Sequence, residues 1–91
     1  MIFKWHPRKA QSNEKKHDVT FDEASSVFLD TSSLTIYDPL HSDYEERFVI
    51  IGTSLRNRIL SVVHTESGDD IRIISARKAT KRERNYYESN V

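Results

Sequence analysis

Three β-rich runs in the second half of the chain, separated by short turns, place the strongest constraint on the fold. They are RFVIIGTS from Arg47, RILSVVHTE from Arg58 and DIRIISA from Asp70. The connection SGDD contains Gly68, which suits a tight hairpin turn. Strands joined by such short connections usually pair with their neighbours, so we predict an antiparallel meander of three strands.

Alternation within these runs predicts which side chains share a face of the sheet. From Arg47 to Gly52, odd-numbered residues lie on one face and even-numbered residues on the other, and both faces are mostly apolar. Such a pattern is typical of a central strand. In the last run, the same alternation places Arg72 and Ile74 on the face opposite Ser75.

Patterns outside the meander add two strands and three helices. Thr20 and Glu23 match the S/T-x-x-E capping box, so a helix should run from Phe21 to Phe28. The other predicted elements are a strand at MIFKW ended by Pro7, a helix from Arg8 to Lys16, a strand at LTIYD, and a helix from Ala76 to Ser89. The order β-α-α-β-β-β-β-α predicts one α+β domain over residues 1–91, with helices packed on a small antiparallel sheet.

Composition limits the size of the hydrophobic core and indicates the cellular compartment. A chain of 91 residues, 36% of them hydrophobic, supports one small domain with a thin core, which a stable partner would help to stabilise. The absence of cysteine excludes a disulfide framework and a cysteine-based zinc site. No apolar run approaches the roughly 18 residues that span a bilayer, and MIFKWHPRK lacks the apolar segment of a secretory signal. We therefore expect a cytoplasmic protein.

The charges are segregated along the chain, although the formal net charge is zero. From Glu14 to Glu46 there are nine acidic residues and two lysines, whereas from Arg72 to Arg84 there are six basic residues and one acid, Glu83. Electrostatic interactions are local, because salt screens them over about 10 Å. The basic end can therefore bind phosphate even though the whole chain is neutral.

The sequence lacks the motifs of several kinds of catalytic and binding site. Gly52 and Gly68 are the only glycines, so neither a Walker loop nor a dinucleotide-binding loop can be built. The four histidines are scattered without metal-ligand spacing, and no GxSxG motif is present. We therefore predict no metal site and no cofactor, whereas a Ser-His-Asp set is left open by sequence alone.

Arginines form the one chemical constellation that stands out. Arg47, Arg58 and Arg72 lie near the starts of three neighbouring strands, and Arg77 is predicted to begin the last helix. Guanidinium groups bind phosphate in a bidentate manner and stay charged at cellular pH. Fixed cations on a sheet suit RNA cleavage, in which a 2′-hydroxyl attacks the adjacent phosphorus, because they can stabilise the transition state without a metal ion.

The acid and base of such a reaction are not chosen by the sequence. The titratable candidates are His17, His41, Glu46, Glu83 and Tyr86. Arginines at strand ends commonly pair with nearby acids, and spacing alone favours that structural interpretation over a catalytic one. The helical stripe of Arg77, Lys81 and Arg84 is likewise typical of a solvated face.

Four segments of the chain together resemble the BrnT family of toxins from bacterial type II toxin-antitoxin modules. They are FKWHPRKAQSNEKKHDVTFDEASSVFLD, DPLHSDYEERFVIIGTS, RILSVVHTE and IRIISARKATKRERNYYE. The most specific parts are N-x-x-K-H at 13–17, F-D-E-A at 21–24, and I-R-I-I-S-A-R-x-A-x-x-x-E-R at 71–84. In this order the segments cover nearly the whole chain.

The resemblance implies a ribonuclease toxin that cleaves RNA without a metal ion and inhibits translation and growth. The implied fold is similar to that of RelE-type toxins, with an open face of the sheet where RNA is cut. A BrnA-like antitoxin is the implied partner, whose DNA-binding domain would let the hetero-oligomeric complex repress its own operon. This chain would then contact DNA only indirectly.

The resemblance also implies a set of site residues. The catalytic residues it implies are His17, Arg58, Arg77 and Glu83, with Arg58 and Arg77 stabilising phosphate charge. For RNA binding it implies Arg47 and Arg72, which would position the RNA backbone. We further predict that Lys81, Arg84 and Tyr86 bind RNA. Lys78 and Arg82, with the other helical cations, are expected to face either RNA or an acidic antitoxin surface.

Two departures from the family pattern keep an alternative function open. His6 stands where members commonly have Asp, and Asp18 stands where they commonly have Gly, so Asp18 must adopt a conformation that Gly takes more easily. The alternative is a decayed toxin or a module that only binds another protein. A direct DNA-binding regulator is less favoured, because no helix-turn-helix spacing is visible.

Overall fold

The computed structural model describes residues 1–39 and 45–90. Its strands are β1 (Ile2–Lys4), β2 (Leu34–Asp38), β3 (Arg47–Thr53), β4 (Ile59–Ser67) and β5 (Asp70–Lys78). Its helices are α1 (Pro7–His17), α2 (Phe21–Ser26), which continues into a 3₁₀ turn (Val27–Leu29), and α3 (Lys81–Ser89). The predicted succession of elements and the α+β class are confirmed.

The five strands form one mixed sheet in the order β1-β5-β4-β3-β2. The pairs β2–β3, β3–β4 and β4–β5 are antiparallel, as the predicted meander requires. β1 lies parallel to β5, with Phe3 beside Ile71, which corrects the prediction of a wholly antiparallel sheet. Helices α1 and α2 carry the chain from one edge of the sheet to the other, so no hairpin fixes the direction of β1.

The hydrophobic core lies between the sheet and the layer formed by α1 and α2, and we call this side of the sheet the helix face. The core consists of Val19, Phe21, Ala24, Val27, Ile50, Leu60, Val62, Ile73 and Ala76. Trp5 and Phe28 pack against it, as expected for aromatic residues. The ring of the fully buried His64 lies 4.8 Å from that of Phe28 and 6.0 Å from that of Phe48.

His6 and Asp18, the two departures from the family pattern, lie at the two ends of α1. His6 caps the helix, since its Nδ1 accepts a hydrogen bond from the Arg8 N–H at 3.1 Å. Asp18 ends the helix in the left-handed conformation, at φ 56°. Between them, the buried Asn13 amide donates to the Val19 and Ala76 carbonyls at 2.9 and 2.8 Å, and so ties α1 to β5.

The boundary between β5 and α3 differs from the prediction. β5 continues to Lys78 and α3 begins only at Lys81, so Arg77 lies in a strand and not in the last helix. Thr80 caps α3 and Glu83 completes the capping box: Thr80 Oγ1 accepts from the Glu83 N–H at 3.1 Å, and Glu83 Oε1 accepts from the Thr80 N–H at 2.8 Å. A strong local start signal therefore stops the helix from beginning at Ala76.

A β-bulge changes the face of the sheet on which one residue of β5 lies. Val63 pairs with Ser75 whereas His64 pairs with Ile73, so Ile74 has no partner in β4. The extra residue shifts the alternation, so Ser75 shares a face with Ile74 and is not opposite to it as predicted. Ile73 and Ala76, on either side of the bulge, both face the core.

α3 packs against the other side of the sheet, which we call the open face. Buried Tyr87 holds it there, with its hydroxyl 3.0 Å from Thr53 Oγ1 and hydrogen-bonded to the Asp30 carboxylate. Asp30 also accepts from the Thr53 N–H at 2.9 Å. This network fixes the helix at one end of β3, and the rest of the open face has no such cover among the described residues.

Candidate active site

The open face carries two of the predicted arginines in one transverse row. The strand register aligns Asp38, Arg47, Thr65 and Arg72 across β2, β3, β4 and β5. Two strand spacings of about 4.8 Å put the backbones of Arg47 and Arg72 about 10 Å apart. The structure thus brings these two residues onto one face, and the Arg72 side chain forms an ion pair with Glu45.

Arg77 lies on the same face and is paired with Glu83 of α3. The guanidinium donates in a bidentate manner, from Nη1 to Oε1 at 2.7 Å and from Nη2 to Oε2 at 3.0 Å. Ser61, which pairs with Arg77 across the sheet, places its Oγ 3.5 Å from Glu83 Oε2. The capping box fixes Glu83 and β5 fixes Arg77, so two separate elements hold the pair in place.

The charge state of this pair follows from its hydrogen bonds. The Arg77 guanidinium lowers the pKa of Glu83 below its ordinary value, although burial acts in the opposite direction. The same interaction raises the pKa of Arg77. At neutral pH, Glu83 is therefore an ionised carboxylate beside a permanent cation.

Two adjoining depressions on the open face meet at Glu83. We call the first the arginine pocket, with a volume of about 340 Å³; it is lined by Asp38, Arg47, Val49, Ser61, Val63, Ile74, Ser75, Arg77 and Glu83. We call the second the apolar slot, with a volume of about 450 Å³; it is lined by Ile36, Tyr37, Asp38, Val49, Ile51, Arg82, Glu83 and Tyr86. The arginine pocket and the apolar slot share three residues, so together they form one groove.

Arg58 lies in a second cluster, on the helix face. It donates from Nε to Glu23 Oε2 at 2.9 Å, makes a further hydrogen bond to Glu23 Oε1, and donates from Nη2 to the Asp18 carbonyl at 2.8 Å. Glu23 is 4% exposed, and Ser54 Oγ donates to it at 2.7 Å. The hydrogen bond from Arg58 lowers the pKa of Glu23, against the effect of burial. The structure therefore separates Arg58 from Arg77, which the sequence had grouped as one phosphate-binding pair.

The remaining predicted residues are distributed over both sides of the molecule. His17 is exposed at the end of α1, next to Asp18 and the Arg58 cluster, and not in the groove. Lys81 is exposed at the start of α3, and Arg84 lines a shallow depression together with Arg58 and Lys78. Tyr86 lines the apolar slot. Glu46 is exposed just before β3, and His41 lies outside the described residues.

Sequence reasoning did not pair the arginines of the open face with the residues that lie beside them. Glu83 was named as a candidate, yet its capping-box signal, Thr80-x-x-Glu83, was not used, and this signal would have placed Glu83 at the third position of α3. Ser61 and Asp38 were not singled out, and only the strand register brings them to Arg77 and Arg47. Over residues 1–39 and 45–90, no group of three or more His, Asp or Glu side chains is placed to hold a metal ion.

Together, the fold and the groove define a small α+β protein whose open sheet face carries a groove lined by arginine and carboxylate side chains. Residues 5–83 match the profile of a protein family described as ribonuclease toxin, BrnT, of type II toxin-antitoxin system. The chain therefore belongs to the BrnT family, and it is a ribonuclease toxin of a type II toxin-antitoxin system, which implies an antitoxin partner.

A solved structure agrees with this assignment. The chain is similar to the 1.1 Å crystal structure of the Brucella abortus ribonuclease toxin, BrnT, with a TM-score of 0.65 and 25% sequence identity over 89% of this chain and 100% of the other. A search of curated proteins finds no match. The predicted family and fold class are confirmed, and the likeness to RelE-type toxins stays a prediction. In the described part of the chain, no helix is long and apolar enough to cross a membrane.

Proposed function

We propose that this toxin is an endoribonuclease that cleaves single-stranded RNA without a metal ion, in the groove on the open face. The bidentate Arg77–Glu83 pair in the arginine pocket carries this proposal. A cation and a carboxylate held side by side, each by its own element, can act on the same phosphodiester. The groove is open to solvent, so a flexible strand can enter it.

Arg77 and Arg47 stabilise the charge that develops on the phosphate. A guanidinium has five N–H donors. Among the described residues, Arg77 makes three hydrogen bonds, two to Glu83 and one from Nη1 to the Lys78 carbonyl at 3.3 Å, which leaves donors for a phosphate oxygen. Preorganised donors of this kind contribute about 3–4 kcal/mol to transition-state stabilisation. Arg47, in the same pocket, adds a second positive charge.

Glu83 acts as the general base. Glu83 lines the arginine pocket as an ionised carboxylate, so it can take the proton of the RNA 2′-hydroxyl, although the hydrogen bonds from Arg77 lower its pKa and make it a weaker base than an ordinary glutamate. The 2′-oxygen then forms a bond to phosphorus while the bond from phosphorus to the 5′-oxygen breaks. The departing 5′-oxygen takes a proton from water, which gives a 2′,3′-cyclic phosphate and a 5′-hydroxyl.

Other residues of the sheet and of α3 hold the RNA strand. Arg72, in the row of Arg47, and the exposed Lys81, at the start of α3, bind phosphates of the RNA backbone. Tyr86 offers an aromatic ring, and Arg84 offers a cation on another side of α3. Arg58 and His17 stay predicted catalytic residues, but the contacts of Arg58 on the helix face support a structural role for that residue.

The partner is a BrnA-like antitoxin that neutralises the toxin and, through its own DNA-binding domain, represses the operon. The thin core of a 91-residue chain and the solvent-open groove on its open face both favour a partner that binds there. Cytoplasmic RNA is the substrate, and its cleavage inhibits translation and growth.

The proposal is tested by incubating the purified, antitoxin-free chain with a defined single-stranded RNA in EDTA. We expect cleavage with 2′,3′-cyclic phosphate ends, and a loss of about 100-fold or more in rate for Arg77→Ala. Lys78→Ala is the matched control, because it removes the neighbouring exposed cation. Absence of cleavage by a folded wild-type chain, with ribosomes added, would leave a decayed toxin or a binding module as the better description.

A further inference from the structure

We propose that the apolar slot binds the nucleobase next to the scissile phosphate, and that Tyr86 stacks on this base. This inference deepens the proposed function and rests on it. It assigns the slot to the RNA itself, and it makes Tyr86 a positioning residue that aligns the strand for attack.

The walls of the slot have the chemistry of a base-binding site. Ile36, Val49 and Ile51 supply an apolar surface from β2 and β3, and α3 supplies Tyr86 and Arg82. Ile36 is 42% exposed and Tyr86 is 50% exposed, so both large apolar side chains are available to a ligand. The volume of about 450 Å³ lies within the range of about 300–1,000 Å³ that small-molecule sites usually have.

Tyr86 is the aromatic side chain that α3 supplies to the slot. The ring of Tyr37 packs against that of Phe48, with centroids 5.7 Å apart, on the helix face of the sheet. Tyr86 follows Glu83 by three residues and Arg82 by four, so all three share one side of α3. The spacing of the helix therefore places the ring one turn away from the proposed general base.

Continuity with the arginine pocket favours RNA over a protein segment as the occupant. Asp38, Val49 and Glu83 line both depressions, so a phosphate beside Arg77 and a base in the slot can belong to adjoining parts of one nucleotide chain. Arg82 adds a positive charge at the rim of the slot. Aromatic stacking contributes to binding with every base, so we expect the slot to be tolerant of sequence.

Binding of a non-cleavable RNA tests the inference. The probe is a labelled single-stranded 2′-fluoro RNA, which lacks the attacking hydroxyl, and its match is an oligonucleotide with the same number of phosphates but abasic sugars. The variants are Tyr86→Leu, which removes the ring, Tyr86→Phe, which keeps it, and Asn85→Ala, an exposed neighbour on α3. Thermal unfolding verifies that each variant folds.

We expect Tyr86→Leu to raise the Kd for the RNA about tenfold, and Tyr86→Phe and Asn85→Ala to leave it within about twofold. The abasic oligonucleotide should bind more weakly than the RNA to the wild type, but equally to Tyr86→Leu. A 2-aminopurine base in the probe should be quenched by the wild type and by Tyr86→Phe, and not by Tyr86→Leu. A merely structural role of Tyr86 would not change this fluorescence signal.

Other outcomes would overturn the inference in distinguishable ways. If Tyr86→Leu binds the RNA as the wild type does while Arg77→Ala binds it weakly, the groove holds RNA and the slot does not hold a base. If Tyr86→Leu keeps its RNA affinity but escapes neutralisation by the antitoxin, the slot is a protein-docking surface. If the wild type binds neither oligonucleotide, the proposed function itself fails.

Discussion

Two arginine–glutamate pairs on opposite faces of the sheet have the same chemistry and different surroundings. Arg58 and Glu23 are 19% and 4% exposed, whereas Arg77 and Glu83 are 43% and 23% exposed. On the helix face, Arg58 lies just before β4 and donates to Glu23 in α2 and to the Asp18 carbonyl at the end of α1. On the open face, Arg77 points toward a groove.

The difference separates a structural ion pair from one that can meet a substrate. Glu23 is enclosed by donors from Arg58 and Ser54, and removal of a partner would leave a buried charge, which is costly. Glu83 is also held by hydrogen bonds, but it lines two depressions that a ligand can enter. We infer that the first pair stabilises the fold and that the second performs the chemistry.

The largest expected effect is the loss of cleavage in Glu83→Gln. Gln keeps the shape and suits a capping box, so α3 should still form, but it cannot take a proton. We expect the cleavage rate to fall by about 10²–10⁴-fold, the usual contribution of a general base. The measurement is single-turnover cleavage of a defined RNA, with Glu88→Gln on the same helix as the control. Cleavage by Glu83→Gln at the wild-type rate would exclude the assigned base.

The next effect concerns stability and should appear in Arg58→Ala. Loss of this guanidinium leaves Glu23 buried without its main partner, so we expect a loss of about 3 kcal/mol in the free energy of unfolding. For a domain of this size, that corresponds to a fall in Tm of about 15 °C. The cleavage rate per folded molecule should stay near that of the wild type.

Arg56→Ala is the matched control for this stability measurement. Arg56 is 66% exposed and lies 3.7 Å from the same carboxylate, so its loss should cost less than about 1 kcal/mol. If Arg58→Ala folds as stably as the wild type but no longer cleaves RNA, the comparison between the two pairs is reversed. Arg58 would then be the catalytic cation that the sequence predicted.

The smallest effect is a pH dependence of stability. Because the folded-state pKa of Glu23 is lowered, its ionised form stabilises the fold above the ordinary glutamate pKa of about 4.3. This contribution is lost as the pH falls through the lower folded value. Tm measured from neutral to acidic pH should fall less steeply in Glu23→Gln than in the wild type. Parallel curves for the two proteins would contradict the assignment.

The dependence of Tm on pH that remains in Glu23→Gln has two expected sources. Glu83 has a lowered pKa through Arg77. Asp30 also has a lowered pKa, because hydrogen bonds from Thr53, Tyr87 and Ser32 outweigh the effect of burial. Both carboxylates therefore act in the same direction as Glu23, and their contribution should remain when Glu23 is replaced.

The sequence by itself determined the local part of this structure. Period-two alternation predicted β3 and the face of the sheet on which Arg47 lies, and the short turns predicted the meander. These features depend on residues that are neighbours in sequence. The capping signal at Thr20 also marked the start of α2 correctly. The family motifs supplied the class of toxin, which composition and spacing did not.

Only the tertiary structure decided which glutamate each arginine contacts. The motifs Thr20-x-x-Glu23 and Thr80-x-x-Glu83 look alike, yet Glu83 completes its capping box whereas the carboxylate of Glu23 accepts from Arg58 and Ser54. The partners of Glu23 lie more than 30 residues away along the chain. Which partner a glutamate contacts depends on the face of the sheet on which it lies. The bulge in β5 and the crossover of α1 and α2 determine these faces, and both arise from long-range packing.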